Sequence, residues 1–229
     1  MNAFDAALIA ELADAFADVD DARAVLLAGE GPSFCAGADV DWQRASIDLS
    51  YEENVEDALR LYRMLETIDS CPAPVLARVQ GYALGGGSGL VACVDIAIAA
   101  EDATFGFSEV KLGINPAVIS PFVLPKIGAG AARRLFLTGE RFDAPTALRI
   151  GLVHEIAPAE MLDDAVARTL SELATSGPQA VREAKRLIRE GPRDHGTAAI
   201  AARLRAGEEG QEGLRAFLDR RRPSWAADT

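Results

Sequence analysis

GYALGGGSGLVACVDIAIAAEDATFGFSEVKLGI (Gly81–Ile114) places four glycines within the five residues Gly85–Gly89. The run APVLARVQG (Ala73–Gly81) before it reads as a strand, and the apolar residues Leu90–Val94 after it read as a helix. A bare backbone at the join of strand and helix exposes free N–H groups at the positive end of a helix dipole. Something negative is therefore expected above the turn. The familiar glycine motifs do not account for the run. G-x-G-x-x-G counted from Gly85 meets Leu90 at its sixth position, a phosphate loop from Gly81 would need lysine where Gly87 stands, and G-x-S-x-G centred on Ser88 again meets Leu90. A tight turn without chemistry is the plain alternative.

Working outward, DIAIAA (Asp95–Ala100) reads as a second strand and RAVLLAG (Arg23–Gly29) as a short buried one, followed by the glycine- and alanine-containing loop SFCAGADV (Ser33–Val40). Two such loops after two strands could offer two backbone donors to a single oxygen. Helical spacing runs from Phe4 to Asp18 and from Tyr51 to Ile68, and beyond Pro158 the chain is almost wholly helical. The first two thirds is thus mixed α/β.

The 229 residues suffice for one sizeable domain, or for a domain with a helical appendage. A net charge of −12 disfavours nucleic acid and anionic membranes as partners. Three cysteines without C-x-x-C spacing indicate neither a disulfide framework nor a zinc site, and no apolar stretch reaches membrane-spanning length. A cytoplasmic location is expected.

The segments SFCAGADV, VQGYALGGGSGL, DIAIAAEDATFGFSEVKLGI and LFLTGERFDAPTALRIGLVHEI resemble the enoyl-CoA hydratase/isomerase (crotonase) superfamily in order and spacing, from Asn2 to Pro158. The resemblance implies an α/β fold, a crotonase-like spiral of β/β/α units over residues 1–176. A helical C-terminal region, 177–229, would build a homotrimer or a dimer of trimers. It implies an acyl-CoA thioester as partner and substrate, with no cofactor beyond the CoA it carries. The N-terminal strand pair usual in the family is missing from this sequence.

By the same resemblance, the N–H groups of Ala38 and Gly86 form an oxyanion hole for the thioester oxygen, while Ala36, Asp39 and Val40 contact CoA. Asp39 could equally be a helix N-cap. Glu109 matches the proton-transfer carboxylate, although a solvated glutamate is the bland alternative. The family's other glutamate falls at Gly89 and is absent. Hydration of an α,β-double bond suits two carboxylates, whereas moving a double bond from β,γ to α,β needs one. A bare position 89 is also expected to leave room for a bulkier acyl group. The motifs look most like those of bacterial hydratases acting on branched or carboxylated enoyl-CoAs, such as the methylglutaconyl-CoA type. Hydratase is the favoured reading, with isomerase or a non-catalytic acyl-CoA binder as alternatives.

Ser88 could touch substrate or merely fit the helix start. His154 carries no assigned role. INPAVISPF (Ile114–Phe122) reads as core or acyl-pocket wall, and Lys111 lies two residues past Glu109. Arg220–Arg222 read as a solvated cluster, the alternative being a contact with CoA phosphate across a subunit interface.

Overall fold

In the computed structural model, which describes residues 1–192 and 194–226, the chain folds into two compact units. The larger comprises Met1–Val19, Leu26–Cys71 and Val75–Val166. The smaller comprises Asp20–Val25, Pro72–Pro74 and Ala167–Thr229.

Elements in chain order are α1 (Ala6–Ala17), β1 (Val25–Ala28), α2 (Val40–Ala45), α3 (Tyr51–Ser70), β2 (Val75–Val79), β3 (Tyr82–Leu84), α4 (Gly86–Cys93), β4 (Ile96–Ala100) and β5 (Thr104–Gly106). There follow α5 (Ser120–Thr138), β6 (Arg141–Asp143), α6 (Ala144–Arg149), β7 (Glu155–Ala157), α7 (Leu162–Thr175), α8 (Pro178–Glu190), α9 (Gly196–Ala206) and α10 (Glu208–Leu218). One sheet has the order β1-β2-β4-β7, with β2–β4 and β4–β7 parallel. The other has the order β3-β5-β6, parallel and then antiparallel. This is the expected α/β architecture, with strands of the two sheets handing the chain to helices.

The burial of β2 and β4 follows from their sequence. VLARV and IAIAA are near-continuous apolar runs, as expected of parallel strands covered on both faces, and Val75, Leu76, Ala77, Val79, Ala97, Ile98 and Ala99 are fully buried. Strand β1 departs from expectation. It is not buried throughout but alternates, with Leu26 45% exposed, because it lies at the end of its sheet's order and has a partner on one side only. The first helix starts at Ala6 rather than Phe4, since Asp5 caps it by accepting the Leu8 N–H at 2.7 Å. Phe4 instead forms a parallel bridge to Ala38. Ser50 and Glu53 close a capping box that starts α3.

In the smaller unit, polar side chains tie helix ends to chain segments distant in sequence. Arg23 donates to the carbonyls of Ala174 and Ser176 at 2.9 Å each, and Lys185, buried, donates to Ala73 O at 3.0 Å. The Glu209 carboxylate accepts the Gln179 and Ala180 N–H groups at 2.8 Å each, capping α8, whose own N-cap is a glycine. No helix among the described residues is long and apolar enough to cross a membrane.

Candidate active site

The loop after β1 and the glycine turn after β3 are fixed against each other by backbone bonds. Phe4 donates its N–H to Gly37 O and accepts the Asp39 N–H at its own carbonyl, both at 2.8 Å. In a parallel bridge of this kind the intervening residue, Ala38, turns its own N–H the opposite way. Cys35 donates to Tyr82 O at 2.9 Å and accepts from Leu84 N at 3.0 Å, which joins the loop to β3. Gly37 has φ +95°, and a Cβ there would lie 2.9 Å from Leu84 O.

Each glycine of the triplet has its own cause. Gly85 sits at φ +52°, ψ −119°, a conformation reserved for glycine, and donates to Gly106 O at 2.8 Å. A Cβ on Gly86 would meet the Phe4 ring at 2.8 Å, and one on Gly87 would meet Cys35 O at 2.5 Å. The chain enters α4 at Gly86, whose N–H, as the first of the helix, has no partner within it. Among the described residues, neither the Ala38 N–H nor the Gly86 N–H donates to a protein acceptor.

Both residues line one cavity of about 500 Å³, together with Ala36, Phe4, Ile119 and Glu109. Glu109 opens a single 3-10 turn, Glu109–Leu112, just past β5. Its Oε1 lies 3.5 Å from where a Cβ of Gly85 would stand, so the carboxylate is held against the glycine turn. Its Oε2 is buried without a hydrogen-bond partner. Burial raises the Glu109 pKa above its ordinary 4.5, which brings a proton acceptor closer to neutral working pH. Phe107, two residues earlier, is pinned edge-on by Phe136 at 5.0 Å between ring centroids, and this fixes the approach of the Glu109 segment.

The other sequence-derived positions divide clearly. Asp39 is the N-cap of α2, accepting from Asp41 N at 2.9 Å and Trp42 N at 3.2 Å, and with Val40 it lies outside the cavity lining. Ser88 is buried. Its Oγ donates to Ala83 O at 2.6 Å and accepts from Gly106 N at 3.3 Å, stitching β3 to β5. His154 accepts the Ala97 N–H at Nδ1 and donates its own backbone N–H to Ala97 O, a structural tie to β4. Burial lowers its pKa. Several residues of INPAVISPF line the cavity, as a pocket wall should.

Gly89 corrects an expectation. The space beside it is not left for a substrate, because a Cβ there would lie 2.5 Å from Ile119 Cγ2. Ile119, buried and itself on the cavity wall, fills the room that a second carboxylate would occupy. Phe4 and Arg141 are cavity residues that sequence reasoning did not assign to the site, whereas Ile119 falls in the segment read as core or pocket wall. Of the two, Arg141 carried a usable signal, as a charge inside the motif LFLTGERF.

The cavity thus gathers, within a crotonase fold, two backbone N–H groups without a protein acceptor, those of Ala38 and Gly86, and the buried carboxylate of Glu109. The family model described as enoyl-CoA hydratase/isomerase matches residues 1–228, and the chain belongs to that family. It is 33% identical to the crotonyl-CoA hydratase of Syntrophomonas wolfei, over 98% of this chain and 90% of that protein. Among solved structures, an enoyl-CoA hydratase from Shewanella pealeana superposes with TM-score 0.90 at 42% identity, over 97% of this chain and 87% of the other. Pseudomonas aeruginosa AtuE superposes with TM-score 0.92 at 38% identity, over 98% and 91%.

Proposed function

We propose that the protein is an enoyl-CoA hydratase, adding water across the α,β-double bond of an acyl-CoA thioester. The observation that carries this reading is the unpartnered, buried Oε2 of Glu109 in the same cavity as the free N–H groups of Ala38 and Gly86. The thioester oxygen accepts from those two N–H groups, and the positive end of α4 stabilises the enolate as it forms. Glu109 takes a proton from the water that attacks the β-carbon and returns it to the α-carbon. The presence of Ala36 on the cavity wall supports its assignment to the CoA portion.

One observation favours a second reading. Ile119 packs against Gly89, so no carboxylate stands at that position, and a single Glu109 suits a double-bond shift from β,γ to α,β. The two reactions have opposite optical signatures. Hydration of a 2-enoyl-CoA bleaches the conjugated thioester chromophore, and isomerisation of a 3-enoyl-CoA creates it. Mixing the protein with each thioester in turn should show bleaching of the first at a higher kcat/KM than any growth from the second. The reverse order makes the protein an isomerase, and no change with either makes it a binder.

A further inference from the structure

Helix α4 presents the Gly86 N–H at one end, and its other end is held by a lysine that lies outside the cavity lining. Lys126 donates from Nζ to Val91 O at 3.3 Å and also to Val94 O. The N–H that would close a helical bond to Val91 O, that of Asp95, goes instead to Val75 O of β2 at 2.9 Å. Val91 and Val94 are both buried, so a protein donor has to stand where water would otherwise satisfy the end of the helix. A cation is also the favourable charge at a helix C-terminus, where it offsets the negative pole and leaves the positive pole at the Gly86 end.

Lys126 reaches these carbonyls from α5, which packs along α4 and is interrupted just past the lysine by Gly128, at φ +68° and ψ +162°. The same helix touches α4 at a second point. Ile119, the N-cap of α5, fills the space beside Gly89, and Lys126, about two turns further on, holds the last carbonyls. Helix α4 is buried from Gly87 to Cys93 and is only about 12 Å long at about 1.5 Å per residue. A helix so short and so closely packed shifts as a unit, so whatever fixes Val91 and Val94 also fixes where the Gly86 N–H points. We infer that Lys126 is a positioning residue: through α4 it sets how closely the Gly86 N–H meets the thioester oxygen. The inference deepens the proposed function and rests on it, since it is there that the Gly86 donor polarises the thioester.

The test compares wild type with Lys126→Met, Lys126→Arg and Lys185→Met, the last removing a buried lysine whose carbonyl partner, Ala73, belongs to the smaller unit. Each protein is bound to butyryl-CoA isotopically labelled at the carbonyl, a saturated thioester that cannot be hydrated. The infrared C=O stretch then reports, as a downshift, how strongly the thioester oxygen is hydrogen-bonded. Hydration of crotonyl-CoA gives kcat and KM, and thermal melting gives stability. Lys126→Met should lose much of the downshift and lower kcat about tenfold or more, with KM and the butyryl-CoA binding constant within about threefold. Lys126→Arg should recover most of both losses. Lys185→Met should melt lower yet keep the downshift and kcat, as befits a lysine that only supports the fold. A Lys126→Met protein that melts lower but keeps the wild-type downshift and kcat would overturn the assignment, and so would an equal loss in Lys185→Met. If Lys126→Met does not fold, the shorter donor of Lys126→Gln is read by the same criteria. Failure of the hydratase reading shows separately, as crotonyl-CoA left unbleached by wild type, and the downshift still decides the role of Lys126. No downshift in wild type would remove the Gly86 donor and this inference together.

Discussion

At the scale of single residues, the site depends on holding one carboxylate where water solvates it poorly. Oε2 of Glu109 has no partner, and burial raises the pKa of the group. The folded state therefore keeps its proton to higher pH than the unfolded chain does, and between the two pKa values the folded state binds more protons. Stability must then fall as pH rises from the unfolded value near 4.5 through the folded one. Glu109→Gln, which cannot ionise, should melt at a higher temperature than wild type near neutral pH, and the difference should close as pH drops to about 4. A gap independent of pH would mean that the ionised form is not what the fold tolerates badly. Glu109, Ala38 and Gly86 entered the sequence reading through the family resemblance, and the structure brings all three to the wall of one cavity. Asp39 was legible only as two alternatives, and its bonds to Asp41 N and Trp42 N show it acting as the helix cap.

At the scale of elements, the packing of α4 on α5 decides which carboxylates the site can have. Gly89 and Ile119 occupy one volume between them, and a Cβ at 89 would be 2.5 Å from Ile119 Cγ2. Gly89→Glu should cost about 1–3 kcal/mol or more through overpacking, measurable by denaturant unfolding. Adding Ile119→Ala should recover part of that loss, since it removes the atom in conflict. If the double variant is no more stable than Gly89→Glu alone, Ile119 is not what excludes the second carboxylate. This pairing could not be seen in the sequence, because residues 89 and 119 meet only through tertiary packing. The same holds for Phe4, whose helical spacing suggested a place in the first helix. Its bridge to Ala38 and its ring against Gly86 instead make it part of the cavity wall. Strand β1 was found correctly and its burial was not, since the position of a strand within its sheet's order leaves no mark on a four-residue apolar run.

At the scale of the whole molecule, the α/β class and the crotonase fold were legible from the order of motifs along two thirds of the chain, and the structural neighbours agree with both. The composition of the smaller unit was less legible. It draws Asp20–Val25 and Pro72–Pro74 to the C-terminal helices, short segments that no periodicity separates from their surroundings. On the proposed function, one cavity of the larger unit binds an acyl-CoA by backbone donors and turns it over through Glu109. The most direct test compares wild type with Glu109→Gln, measuring hydration of a 2-enoyl-CoA alongside binding of its saturated analogue. Loss of the base should lower kcat by roughly 10²-fold or more, while the binding constant stays within a few-fold. Near-wild-type turnover in Glu109→Gln would contradict the account.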